Sequence, residues 1–250
     1  MWPILFSLGS LHVYSYGFMV ALAFGVGIYL ATYFAKKEGI QPDLIFDGAI
    51  YVILFGIVGA RLFYVIGQWG QYQNNLLDIF MIQKGGLVFL GGFLFSFMAV
   101  IVFAWFKKIP LLKFLDCIAP GAALGYAIGR IGCLLNGCCF GLPCSLPWAI
   151  KFPDGSLAYS YYPNIALHPT QLYSILAMLL VFLIVIFIYR QKKYDGQIFY
   201  SWFVLYGLYR LGIEFFRFSP IHWLGLTPSQ WLASIFILAA GSALLRHHGK

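Results

Sequence analysis

Three arginines, Arg61, Arg130 and Arg210, fall within or at the ends of long apolar runs, while every lysine lies outside them. A guanidinium in hydrocarbon costs ~2.5–3.5 kcal/mol on insertion scales. Its planar fork of donors never loses its charge and grips a phosphate at two points. This choice of residue points to an anionic phosphate, on a lipid headgroup or another solute, drawn among helices. Snorkelling to the interface, or pairing with an acid, is the competing explanation. It weighs most on Arg61.

Around two of these arginines the spacing is informative. Tyr206, Arg210, Glu214 and Arg217 are spaced four, four and three, so they project from one face of one helix. A polar ladder on an apolar helix marks a functional site, or else an Arg210–Glu214 ion pair that only fixes packing. Arg130 sits beside Gly121, Gly125, Gly129 and Gly132, a smooth stripe that admits another backbone closely. Asn136 and Gly137 then break the run, and packing alone needs neither Arg130 nor Asn136. His168-Pro169-Thr170-Gln171 suits a helix start, with His168 and Gln171 at the interface. A lone histidine there is more often a cap than a catalyst. Tyr16, before Gly17, fits an interfacial belt or a hydrogen bond to a headgroup.

The elements that position these groups are membrane spans. Of 250 residues, 62% are hydrophobic and 10% charged, against roughly 25% charged in soluble domains. Apolar runs at about 13–35, 44–66, 87–106, 115–135, 170–189, 197–215 and 228–245 are each near the ~20 residues that cross a bilayer. Runs of this length exclude a barrel. The expected fold is an all-α, polytopic membrane protein of about seven transmembrane helices, a single integral membrane domain over 1–250. Lys36, Lys37, Lys107, Lys108, Lys113, Arg190, Lys192, Lys193, Arg246 and Lys250 share one set of loops. Only Lys84, Lys151 and Arg217 occupy the other. This bias puts the richer set and the C-terminus in the cytoplasm, and the N-terminus outside. Segments at about 67–86 and 136–169 then lie outside. The second holds Pro143, Pro147, Pro153, Pro163 and Pro169, which deny it long helices and make it a small irregular head. The first apolar run is too long for a cleaved signal peptide and lacks a basic lead-in. The net charge of +8 is spread over short loops, which argues against nucleic acid as a partner.

Four of the five cysteines, Cys133, Cys138, Cys139 and Cys144, fall close together, apart from Cys117. Their spacing is not C-x-x-C, which argues against a metal site. The outer side permits disulfides, and one from Cys138 or Cys139 to Cys144 is a reading that stays open beside free thiols.

Taken in order, the chain resembles the bacterial prolipoprotein diacylglyceryl transferase family. The matching pieces are Tyr16-Gly17, Gly59-Ala60-Arg61, Gly85-Gly86 with Gly91-Gly92, and Gly129-Arg130-Ile131-Gly132 with Asn136-Gly137 and Gly141. They continue with His168 to Tyr173, and with Tyr206-Gly207, Arg210 and Glu214 to Arg217. The resemblance implies a multi-pass enzyme of the bacterial cytoplasmic (inner) membrane. Such enzymes move the diacylglyceryl group of phosphatidylglycerol to the lipobox cysteine in a preprolipoprotein signal peptide. A thioether forms and glycerol phosphate leaves, with no metal or cofactor expected. Arg130 and Arg210 would hold the phosphate and favour the acceptor thiolate. Glu214 would orient Arg210, and Tyr16, Asn136, Tyr206, Arg61 and Gln171 would contact the headgroup. Many relatives carry a histidine in the glycine-flanked motif where this chain has Leu90. That leaves His168, Glu214 or the arginine field to handle the thiol proton. A transporter of anionic lipid and an inactive lipid-binding relative are the alternatives; the first expects an inverted repeat, which is not evident.

Overall fold

A computed structural model describes residues 1–9, 11–73, 75–82, 85–219 and 223–248. Lys84 and Lys250, both used in the charge count above, lie outside the described residues. The chain opens with β1 (Ile4–Leu8) and β2 (Leu11–Tyr14), followed by α1 (Ser15–Lys37) and α2 (Pro42–Gly67). A short α3 (Trp69–Tyr72) and a 3-10 turn lead to α4 (Phe89–Phe106) and α5 (Leu111–Asn136). Then come β3 (Ile150–Lys151), α6 (Leu157–Tyr161), β4 (Ala166–Leu167), α7 (Thr170–Tyr189), α8 (Gln197–Glu214) and α9 (Pro228–His248).

The long helices fall where apolar runs place them, and α7 coincides with its expected bounds. The two small antiparallel pairs, β1–β2 and β3–β4, are a departure from an all-α reading. β1 and β2 pair across a turn where Gly9 takes a left-handed φ of +60°, with a shift in register between Ile4 and Phe6.

Packing divides the chain into two compact units. One comprises Thr32–Phe114. In it α2 and α4 lie against each other through Gly59 and Gly91, each approached by the other's carbonyl so closely that neither has room for a Cβ. The other comprises Met1–Ala31 and Leu115–Lys250. Here α1 meets α5 along the glycine stripe: Gly121 abuts the Gly27 backbone, Gly125 abuts Ala23, and Gly132 abuts Tyr16 and Met19. The fourth member, Gly129, has nothing within 4 Å of where a Cβ would stand.

Helix α7 shows how the second unit is faced. Ser174, Met178, Val181 and Val185 are buried, against exposed Leu176, Leu180, Leu183 and Phe187. Both sets follow the helical repeat, so one stripe packs inward and an equally apolar stripe faces outward, as lipid requires. Five helices, α1, α2, α5, α7 and α9, are long and apolar enough to cross a membrane. Helix α4 is apolar but shorter. Helix α8 is 18 residues long and carries Arg210 and Glu214.

The segment after α5 is a small folded head. Phe140, Phe152, Ala158 and Leu167 form its core, with Ile150, Tyr162 and Phe218 packed around it. At the opposite end of α5, Asp116 is fully buried. Its carboxylate accepts the amides of Gly196 (2.7 Å) and Phe199 (2.9 Å), so a residue of α5 caps the start of α8. Lys192 neutralises it at 3.0 Å. The capping need is general, because the first amides of any helix lack intrahelical partners.

Candidate active site

Two helices of the larger unit carry a tyrosine one turn before an arginine: Tyr126 and Arg130 on α5, Tyr206 and Arg210 on α8. Residues four apart on a helix are neighbours, so each tyrosine lies beside its arginine. The Arg130 guanidinium sits 4.7 Å above the Tyr126 ring and donates a hydrogen bond to its hydroxyl. The rings of Tyr126 and Tyr206 meet edge to face at 5.6 Å, and Tyr209 lies 5.9 Å from Tyr126. Tyr206 feels both guanidinium charges. The tyrosines therefore bring Arg130 and Arg210 to one region.

Behind them runs a chain of hydroxyls. The Tyr126 and Tyr209 oxygens are 3.3 Å apart. Tyr209 donates to Ser174 Oγ at 2.6 Å, and Ser174 donates to the Thr170 carbonyl at 2.6 Å. On the other side, Arg210 Nη2 donates to Ser229 Oγ at 2.7 Å and lies 3.2 Å from Glu214 Oε2. Arg210 Nη1 and Glu214 Oε2 are buried without a well-aligned hydrogen bond. A buried guanidinium nitrogen lacking an acceptor is costly unless a ligand supplies one.

Tyr16 opens α1 beside the end of α5. Its backbone rests on Gly132, and its hydroxyl feels Arg130 and the thiols of Cys133, Cys138 and Cys139. Asn136 is the exposed last residue of α5, with its side chain turned to Cys138. The Cys139 thiol, just past the helix, is held well below the ordinary thiol range. The sulfurs of Cys133 and Cys138 do most of this, followed by Arg130 and Arg217, against the effect of burial.

Other candidates are placed differently. Arg61 is 6% exposed and belongs to the smaller unit. It donates to the carbonyls of Asp78 (2.6 Å), Ile79 (2.8 Å) and Gly85 (2.6 Å), with longer contacts to Gly86 and Met81. Its fork clamps its own loop. His168 shares a hydrogen bond with the Tyr173 hydroxyl at 3.2 Å and packs on Phe216. Its backbone pairs with Gly141 and Leu142, locking the head to the start of α7. Gln171 is fully buried and donates to the Cys138 carbonyl at 2.7 Å, leaving its Oε1 unpartnered.

The structure departs from the helical ladder at Arg217 and closes the open question of a disulfide. Helix α8 ends at Glu214, so Arg217 leaves the helical ladder and forms an antiparallel bridge with Gly141. No disulfide joins Cys138 or Cys139 to Cys144, and all five cysteines are free thiols. Cys144 Sγ accepts the Leu146 amide instead, while the sulfurs of Cys138 and Cys139 turn towards Cys133.

Tyr126, Tyr209, Ser174 and Ser229 were not among the residues singled out from sequence. The repeated Tyr-x-x-x-Arg spacing was a signal for Tyr126. The two serines carry no signal, because their partners lie on other helices.

Known proteins of one family resemble the chain along nearly its whole length. The family model for prolipoprotein diacylglyceryl transferase matches residues 3–246. A phosphatidylglycerol–prolipoprotein diacylglyceryl transferase of Finegoldia magna is 36% identical over 240 residues, covering 96% of this chain and 92% of its own. A protein of the same name from Clostridium tetani is 34% identical over 244 residues, covering 96% and 95%. Another from Acaryochloris marina is 36% identical over 245 residues, covering 97% and 88%.

Proposed function

The chain belongs to the prolipoprotein diacylglyceryl transferase family, and from that premise we propose that it transfers the diacylglyceryl group of phosphatidylglycerol to a prolipoprotein cysteine, the first step of lipoprotein maturation. It is a multi-pass membrane transferase. In this reading seven helices cross the bacterial cytoplasmic membrane, with the N-terminus and the head outside and the C-terminus in the cytoplasm. The loop charges support that orientation.

The unpartnered, buried Nη1 of Arg210 carries the assignment of the site. A phosphate oxygen beside it would complete its hydrogen bonds, and Tyr206, one turn earlier on the same helix, also feels Arg130. Arg130 and Arg210 hold the phosphate of phosphatidylglycerol, Glu214 and Ser229 fix Arg210, and Tyr126 fixes Arg130. Tyr16, Tyr206 and Asn136 border the headgroup, and the room beside Gly129 admits it. Gln171 supports the cysteine turn next to it. Arg61 serves as a loop clamp in the other unit.

The lipobox thiolate attacks the glyceryl carbon that bears the phosphate ester. A carbon–sulfur bond forms, the carbon–oxygen bond breaks, and glycerol phosphate departs with the electron pair. Positive charge fixed in a dry site stabilises the departing phosphate most where its charge grows. The same charge lowers the acceptor thiol from its reference pKa of about 8.5. The proton passes to water or to the departing phosphate. With Leu90 in place of the family's histidine and His168 engaged in the head, this field does the work of a base. Glu214, paired to Arg210, holds the field in place.

The test is purified protein in nanodiscs with phosphatidylglycerol and a lipobox peptide, followed by peptide mass. A diacylglyceryl mass gain in the unaltered protein, absent in Arg130→Ala, is the expected result. Folded protein that binds phosphatidylglycerol without modifying the peptide would overturn the transferase reading.

A further inference from the structure

We propose that Cys133, Cys138 and Cys139 form a three-thiolate binding site for a soft, thiophilic metal ion of the Cu(I) type. Their sulfurs all lie within 4.8 Å of one another. An ion at the centre of three sulfurs, each about 2.3 Å away as in metal–thiolate sites, sets them about 4 Å apart. Closing the cluster onto an ion therefore needs shifts below about 1 Å, within reach of side-chain rotation.

The convergence comes from the end of a helix, which explains why spacing rules do not show it. Cys133 lies on the last turn of α5, and the Cys138 amide returns to the Cys133 carbonyl at 3.1 Å. The chain turns back through Gly137 at φ +69° and Cys139 at φ +61°. Cys139 is not a glycine, and such a backbone costs about 1–2 kcal/mol. It persists because α7 holds it from behind. Thr170 Oγ1 donates to the Cys139 carbonyl at 2.8 Å, and Gln171 Nε2 donates to the Cys138 carbonyl at 2.7 Å. Both donors are at most 1% exposed. The turn is thus fixed before any ion arrives, which lowers the ordering cost of binding.

Donor type and charge select the ion. Three sulfurs without a carboxylate or imidazole favour Cu(I) over hard cations. Binding displaces the thiol protons to solvent, and a monovalent ion on three thiolates leaves a net charge of −2. Arg130 and Arg217 are the charges that act on Cys139 and offset this. A fourth thiol is not at hand, since Cys144 is tied to Leu146 and Cys117 lies sixteen residues back along α5, about 24 Å away. The coordination number is therefore three. Cys138 and Cys139 are half-buried and give the ion its entry. The site does not depend on the transferase reading.

The experiment is an anaerobic titration of the full chain in detergent with Cu(I) alone, competed against a colorimetric Cu(I) chelator. One equivalent should be withheld from the chelator by the unaltered protein and by a Cys117→Ser/Cys144→Ser variant. Cys133→Ser, Cys138→Ser and Cys139→Ser should each weaken binding by more than the roughly 10–100-fold that loss of an outer-shell partner costs. X-ray absorption should find three sulfurs at about 2.3 Å. The unaltered protein alone can overturn the proposal, by withholding no copper or by holding it with two sulfurs. Undiminished binding by Cys138→Ser would overturn it as well.

Discussion

The Tyr126 hydroxyl accepts a hydrogen bond from Arg130 while its ring lies beneath the same guanidinium, 4.7 Å from it. One side chain thus fixes both the direction and the height of a cation that has no acidic partner on its own helix turn. Removing only the oxygen, in Tyr126→Phe, keeps the ring contact. It also breaks the chain through Tyr209 to Ser174. A hydrogen bond to a charged group is worth about 1.5–3 kcal/mol, so transfer should slow by about 10–100-fold with the melting temperature nearly unchanged. Steady-state rates with phosphatidylglycerol and a lipobox peptide measure this. A double variant with Arg130→Lys should lose less than the two single losses combined.

Arg210 is held by Ser229 and Glu214. Arg210→Lys retains the charge but not the fork, so it cannot serve Ser229 and a phosphate together. Its KM for phosphatidylglycerol should rise and its kcat should fall at least about tenfold. Glu214→Gln should cost a similar amount. Ser229→Ala removes one hydrogen bond and should cost less than about tenfold.

If His168 were the base, losing it would cost about 10²–10⁴ in rate. Its contacts to Tyr173, Phe216 and Gly141 support the reading proposed above, in which it is a strut of the head. His168→Gln should keep its rate within about fivefold and lose thermal stability. A rate loss at the level expected for a base, in protein that melts normally, would return His168 to the chemistry.

Asp116 binds two amides and a lysine in a fully buried position. Asp116→Ala takes from Lys192 its buried partner, leaving it the half-exposed Asp195 at 3.2 Å, and uncaps α8; breaking a buried pair costs about 3–5 kcal/mol. Asp116→Asn keeps an acceptor and should cost less. Thermal unfolding in one detergent ranks the three proteins.

Gly121 and Gly129 separate packing from substrate. Gly121→Ala drives a Cβ to 2.6 Å from the Gly27 carbonyl oxygen and should lower stability. Gly129→Ala meets nothing within 4 Å beyond its own helix backbone and chain neighbours. It should melt like the unaltered protein yet bind phosphatidylglycerol more weakly, as read by the KM for that lipid.

How much of this was legible follows from distance along the chain. The positions of the long helices, the Tyr206–Arg210–Glu214 ladder and three of the four stripe glycines all rest on periodicity within one element, and the structure keeps them. Arg217 left the ladder because α8 stops at Glu214 and the chain bridges to Gly141. The β1–β2 hairpin was hidden because Ile4-Leu5-Phe6 do not alternate, which leaves Gly9 as its one local sign. Relationships between elements were hidden. Asp116 serves amides eighty residues away, and the backbone carbonyls around Arg61 leave no pattern in side-chain types. The cysteine cluster defeats the C-x-x-C rule because a helix end, rather than a short loop, gathers the sulfurs.

The remote cap on α8 also orders events during synthesis. Asp116 leaves the ribosome eighty residues before the Gly196 amide it will hold. At roughly 5–20 residues per second, the wait is about 4–16 s. During that time the carboxylate has neither Lys192 nor its amides, and hydrocarbon is no place for it in that state. The start of α5 must stay at the aqueous boundary until the α7–α8 connection emerges, and the last helices then dock onto an anchor already in position. A chain truncated before Lys192 would keep that anchor without its counterion, and so would present the cell with a ready mark of incompleteness.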